Sequence, residues 1–208
     1  MANLSYLAFR ERFIKYGCFS TDQVKMWRQD FDANNYSRWC KRGLLARLRQ
    51  GWYAFTECLQ MPDFARYIAG RIYKPSYISL HTALSFYGMI PEAVVSINSV
   101  STLKTATFSN AFGEYTYQSI KPSLFFGFEL KNMSDGRSIP FATPEKALLD
   151  LLYLYPMYKT EEDMLELRLD DYFLQEEFQI DKLQEYLNAF GNQALESRVR
   201  ILTKAYGI

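Results

Sequence analysis

Histidine occurs once in this 208-residue chain and cysteine three times. Cys18, Cys40 and Cys58 are too few and too far apart for a zinc cluster or a disulfide framework. They are expected as reduced core or surface thiols of a cytoplasmic protein. His81 sits on a mostly apolar segment with no sequence-evident nucleophile or orienting carboxylate, so a structural or surface role is expected of it. There is no Gly-rich phosphate loop and no HExxH. No window reaches the roughly 18 uncharged apolar residues of a membrane span. The nearest, "ALLDLLYLYPMY", carries Asp150 and is broken by Pro156. The opening "MANLSYLAFRERF" lacks the basic start and cleavable apolar stretch of a secretory signal. Repeats and low-complexity segments are absent too. Neither a metal, a cofactor nor a membrane is expected.

What the chain has is apolar and aromatic substance. Apolar residues make up 49% and aromatics 17%, which furnishes a core and argues against disorder. The net charge of +1 hides an asymmetry: residues 1–58 hold ten Lys/Arg against five Asp/Glu, and the remainder fourteen against eighteen. A basic leading segment on an acidic body points to an anionic partner for the first part only. The charge concentrates in Asn34–Phe55, "NNYSRWCKRGLLARLRQGWYAF", with five basic residues and no acid.

The local patterns give that stretch a shape. Residues 4–16 read as a helix with a stripe of Leu4, Leu7, Ala8 and Ile14, widened by Phe9 and Phe13 and stopped at Gly17. Ser20 and Gln23 have capping-box spacing for a second helix whose face is Val24, Trp27 and Phe31. Asn34 or Asn35 is the expected N-cap of a third helix, and Gly43 its stop. At about 100° per residue, Tyr36, Trp39, Cys40 and Gly43 share one side, and Arg38, Lys41 and Arg42 the other. Beyond it, Leu44, Ala46 and Leu48 alternate with Leu45, Arg47 and Arg49. Gln50-Gly51 turns the chain, and Trp52 to Phe55 return. Trp39 and Trp52 are expected to pack this hairpin against the helix. Three helices followed by such a hairpin describe a winged helix-turn-helix.

Further on, Pro62 opens a helix to about Tyr73, ended by Pro75. "YISLHTALSFYGMIPEA" reads as a helix with Leu80, Ala83, Leu84 and Tyr87 on one stripe. Residues 94–130 are β-branched and aromatic and predict three to five strands. Asp135-Gly136 resembles a hairpin turn. Thr143-Pro144-Glu145 is a strong helix start, and 160–206 is a helical, acidic tail. The expected fold is α+β. An N-terminal winged helix-turn-helix (1–58) precedes a mixed α/β C-terminal domain (59–208) with a small sheet and an acidic helical tail.

The expected function is binding of double-stranded DNA without catalytic activity. Ser37, Arg38, Lys41, Arg42, Arg47, Arg49 and Gln50 are the candidate contacts, because Lys and Arg neutralise phosphates and an arginine in the major groove can bond guanine O6 and N7 together. One winged helix covers one half-site, so two copies on an inverted repeat are expected, as a dimer or cooperatively. Two other readings compete. Glu129-x-Lys131 with Glu114 upstream has the residue types of a PD-(D/E)xK metal-dependent nuclease, in which carboxylates hold Mg²⁺ and the lysine steadies the attacking water. The proline-aspartate half of that motif is missing. The acidic C-terminal helices would suit a protein-interaction module. Glu145, Lys146 and Asp150 are expected only to stabilise their own helix, Lys146 and Asp150 as an i,i+4 pair.

Three stretches, in order, carry a family resemblance: "GCFSTDQVKMW…YSRWCKRGLLARLRQGWYAF", "YISLHTALSFYGMIPE" and "IPFATPEKALLDLLYL". Across about residues 10–155 the chain resembles the AbiEi-type antitoxins of type IV, abortive-infection toxin–antitoxin systems. The resemblance implies a transcriptional regulator that represses its own operon and counteracts a nucleotidyltransferase-type toxin, without need of a stable complex between them. Residue by residue it implies Arg38, Lys41, Arg42, Arg47 and Arg49 as DNA contacts. Glu145, Lys146 and Asp150 fall in the third stretch, with no role attached.

Overall fold

The computed structural model of the protein describes residues 5–133 and 136–208. Leu4 of the expected first helix and Asp135 of the expected turn lie outside them. The first element, α1 (Tyr6–Phe13), starts where the Ser5 hydroxyl accepts from the Ala8 amide at 3.2 Å. Its buried side differs from expectation: Phe9 and Phe13 are buried, whereas Leu7 is 69% exposed. Aromatic partners decide this. Phe9 lies 4.7–6.3 Å from the rings of Phe13, Phe19, Trp27, Phe31, Trp39 and Phe55. Such ring pairs contribute about 0.5–1.5 kcal/mol each beyond the area they bury, which outweighs covering one leucine. A short 3₁₀ turn (Ile14–Tyr16) leads to Gly17 at φ +66°, where a Cβ would collide with Phe64 and Arg137.

Strand β1 (Cys18–Ser20) follows, then α2 (Thr21–Trp27). Its capping box is formed as expected: Ser20 Oγ accepts from the Gln23 amide at 3.2 Å, and Gln23 Oε1 from the Ser20 amide at 2.8 Å. The helix ends at Trp27, so Phe31 reaches the same core from a loop, its ring tilted against Tyr36 at 4.9 Å. Next comes α3 (Asn34–Lys41). Neither asparagine caps it; Asp32 Oδ1 accepts from the Asn34 amide at 3.0 Å, and Asn35 is buried inside the helix. A carboxylate suits the positive helix end better than an amide.

Strands β2 (Leu45–Arg49) and β3 (Trp52–Phe55) form the hairpin, and β1 adds to it in an antiparallel sheet ordered β1-β3-β2. Strict alternation would put Leu45 and Leu48 on opposite faces, yet both are buried. The pairing explains it. Arg47 opposes Tyr53 and Arg49 opposes Trp52, so Leu48 is the extra residue of a bulge that turns it inward and re-aims Arg49. Tyr53, not Trp52, makes the main stacking contact with the third helix, lying on Tyr36 at 4.7 Å and 10°.

The rest of the chain runs α4 (Phe64–Ile72), β4 (Ser76–Ile78), α5 (Leu80–Phe86), β5 (Ile97–Ser101), β6 (Ala106–Asn110), β7 (Gly113–Ser119), β8 (Phe128–Asn132) and β9 (Ser138–Ala142). Helices α6 (Pro144–Leu154), α7 (Glu161–Leu165), α8 (Asp171–Glu176), α9 (Ile180–Phe190) and α10 (Gln193–Tyr206) complete it. The architecture is mixed α+β. The strands form one sheet ordered β6-β7-β5-β4-β9-β8, with β4/β9 and β5/β7 parallel and the other pairs antiparallel. The expectation of an unbroken helix through "YISLHTALSF" fails at its start. Ser76, Tyr77 and Ile78 are buried on both faces between β5 and β9. A short apolar run buried all round has no period to distinguish strand from helix.

The basic segment is fastened to this body. Arg49 Nη1 donates to the Ile72 carbonyl at 2.8 Å, its guanidinium lying 4.7 Å from the Phe108 ring and 5.5 Å from Tyr73. Asn110 Nδ2 donates to the Leu48 carbonyl at 3.3 Å.

Candidate nucleic-acid interface

Helix α3 is divided as its spacing predicts. Tyr36 and Trp39 are buried; Ser37, Arg38, Lys41 and Arg42 are exposed. Burial of the two rings against α1 and β3 fixes the helix's roll, so the cations can only face outward. Arg38 is held at the start of this face: Nη1 donates to Asn35 Oδ1 at 3.0 Å, and Nη2 stands 3.9 Å from Asp32 Oδ2. Both members of that pair are about half exposed, so water weakens the attraction and leaves the guanidinium exchangeable. Among the described residues neither Lys41 nor Arg42 has an ion-pair partner.

The hairpin extends the same charge. Arg47 is exposed and near enough to α3 to oppose the upward push that burial exerts on the Cys40 thiol. Gln50 is exposed at the turn, where Gly51 adopts φ +75°, a left-handed conformation that favours glycine. The structure therefore brings Ser37, Arg38, Lys41, Arg42, Arg47 and Gln50 to the surface of one helix-and-hairpin unit. Arg49 leaves the set. Its guanidinium is half-buried and committed to Ile72, Tyr73 and Phe108, so a free phosphate contact from it is corrected to an internal clamp. The bulge at Leu48 causes this, and nothing in the local sequence marks it.

The residues of the nuclease reading do not meet. Glu114 lies on β7, the second strand of the sheet, and Glu129 and Lys131 on β8, the sixth. Four strand spacings separate them by about 19 Å. Lys131 bonds Glu129 at 2.6 Å and covers the Tyr87 ring at 5.3 Å. Among the described residues no three His, Cys, Asp or Glu side chains are grouped to hold a metal ion. His81 packs edge-on to Tyr155 at 6.1 Å, and burial lowers its pKa, Glu92 opposing.

The group most underestimated in the sequence lies on α6. Lys146 and Asp150 form the i,i+4 pair, but both are fully buried, as is Glu145. Asp150 Oδ2 accepts from the Tyr77 hydroxyl at 2.9 Å and from Ser79 Oγ at 2.8 Å, while Oδ1 pairs with Lys146. Lys146 also donates to the Tyr77 oxygen at 2.9 Å and is ringed by Phe190, Phe126 and Tyr77 at 4.7–5.4 Å. Burial pushes the Asp150 carboxyl up and the Lys146 amine down, each charge restraining the other's shift. Glu145 accepts from the Gln179 amide at 3.1 Å and faces Lys182 at 3.6 Å, tying α6 to α9. A helix apolar all round, as "PEKALLDLLYL" nearly is, is buried all round. That was the available signal, and it makes these charges a structural centre rather than a surface pair.

No protein-family model matches the chain, and comparison with curated proteins finds no match.

Proposed function

We propose that the protein is a DNA-binding regulator of the winged helix-turn-helix class. Helix α3 is its recognition helix, and the β2–β3 hairpin its wing. More narrowly, it acts as the antitoxin of a type IV toxin–antitoxin pair, repressing its own operon and opposing a nucleotidyltransferase-type toxin. One observation carries the DNA reading: Arg38, Lys41 and Arg42 stand exposed on the face of α3 opposite the buried Tyr36 and Trp39, with Arg47 and Gln50 beside them. The β1-β3-β2 sheet behind three helices supports the class. The antitoxin role rests on the resemblance to AbiEi-type antitoxins alone. No catalytic residue is assigned.

In this reading Arg38 and Arg42 meet base edges in the major groove, each good bidentate pair discriminating by about 1–3 kcal/mol. Arg47 and Gln50 meet phosphate or the neighbouring minor groove. Two copies occupy the halves of an inverted repeat. Four exposed cations per copy set the ceiling of the salt dependence, a slope of about −3.6 in log K against log salt if each neutralises one phosphate. The test is a titration of DNA from upstream of the gene, and of random DNA, at several salt concentrations. Saturable binding to the upstream fragment, tighter than to random DNA, supports the reading; equal, salt-independent binding refutes it. The antitoxin role is tested separately, by whether co-expression restores growth to cells expressing a nucleotidyltransferase-type toxin encoded beside the gene.

A further inference from the structure

A cavity of about 410 Å³ opens where the C-terminal end of α4 meets β4 and the β8–β9 edge of the larger sheet, away from the basic face of α3. Its size falls within the range of small-molecule sites. Tyr67, Phe125 and Phe128 line it with flat apolar surface, and Arg71 and Lys74 supply two cations, with no acidic side chain among the described residues of the wall. Neither cation has an ion-pair partner among the described residues. Two buried polar atoms on its wall residues also lack hydrogen-bond partners: Ser76 Oγ, on a residue only 6% exposed, and Arg71 Nε. Burial and the neighbouring Arg71 charge both depress the Lys74 pKa, Cys18 opposing.

Two cations beside an aromatic wall define the chemistry of an occupant. An anionic head would neutralise the Arg71–Lys74 repulsion. A flat apolar body would fill the space against the rings. We propose that this cavity is a binding site for a small aromatic carboxylate. The site is independent of the DNA reading, since none of the α3 or hairpin cations lines it.

The test uses 2-naphthoate and its neutral counterpart 2-naphthamide in calorimetric titrations of the full chain. Naphthoate should bind saturably at one site, at least about tenfold more tightly than the amide, since hydrogen bonds to a charged group are the stronger kind. Arg71 also bonds the Cys18 thiol, so replacing it disturbs packing as well. Lys74 is exposed at the rim, and Lys74→Glu keeps the fold while reversing the charge. It should abolish measurable naphthoate binding, and Lys74→Gln should weaken it several-fold. Equal affinity for acid and amide, no saturable binding up to roughly 5 mM, or unchanged affinity in folded Lys74→Glu would overturn the proposal.

Discussion

Replacing Asp150 by alanine removes a carboxylate that holds three partners at once. Lys146 would remain fully buried with its charge uncompensated, and the Tyr77 and Ser79 hydroxyls would lose their acceptor. Removing one partner of a buried ion pair costs about 3–5 kcal/mol, and each stranded hydroxyl adds about 1–3 kcal/mol unless it finds another bond. Tyr77 keeps its contact with Lys146, so only Ser79 is wholly stranded. The expected loss is therefore about 4–8 kcal/mol, comparable to the total stability of many domains. Lys146→Met alone should cost about 3–5 kcal/mol by the same reasoning. The two together should cost much less than their sum, because neither buried charge remains; a coupling of at least about 2 kcal/mol is expected. Urea unfolding followed by circular dichroism, with slopes checked for a change in the denatured state, measures all four corners of the cycle. Additive losses, or a loss under about 1 kcal/mol for Asp150→Ala, would refute the assignment of this pair as a structural centre.

Arg49→Ala should lower stability by about 1.5–3 kcal/mol through loss of a charge-assisted bond to the Ile72 carbonyl. It should leave the salt slope of DNA binding unchanged, as a titration across salt concentrations will show. Burial holds the His81 pKa below its ordinary 6.5, so the folded state resists protonation more than the unfolded chain does. Its contribution is complete above the unfolded value and is lost as pH falls through that value towards the folded one. Urea midpoints should therefore drop as pH falls through the ordinary histidine range, and His81→Gln should flatten that part of the change.

Elements with local punctuation were legible in the sequence. The Ser20–Gln23 box, the Gly43 stop, the Gln50-Gly51 turn and the Thr143-Pro144 start act within a few residues, and all formed. So did the division of α3 into a buried and a cationic face, because helical periodicity fixes it. What escaped depends on distant partners. Leu7 yields to Phe9 because five rings converge on it from elsewhere in the chain, beside Phe13 of its own helix. Ser76–Ile78 becomes a strand because β5 and β9 flank it. Arg49 turns inward because a bulge and the end of α4 meet it there. The Lys146–Asp150 pair was visible at its spacing, but its burial is set by Tyr77, Ser79 and α9.

The proposed function requires that the outer face of α3 read DNA. The measurement that tests it most directly is the affinity of Arg38→Ala/Lys41→Ala/Arg42→Ala for DNA from upstream of the gene, titrated at several salt concentrations with circular dichroism as the folding control. These side chains are exposed, so the variant should stay folded. Its preference for the upstream sequence should disappear with Arg38 and Arg42, and its salt slope should fall in magnitude by about 1 with Lys41, whose charge is left to phosphate. A folded triple variant that binds the same DNA with unchanged affinity and unchanged salt slope would contradict the proposed function.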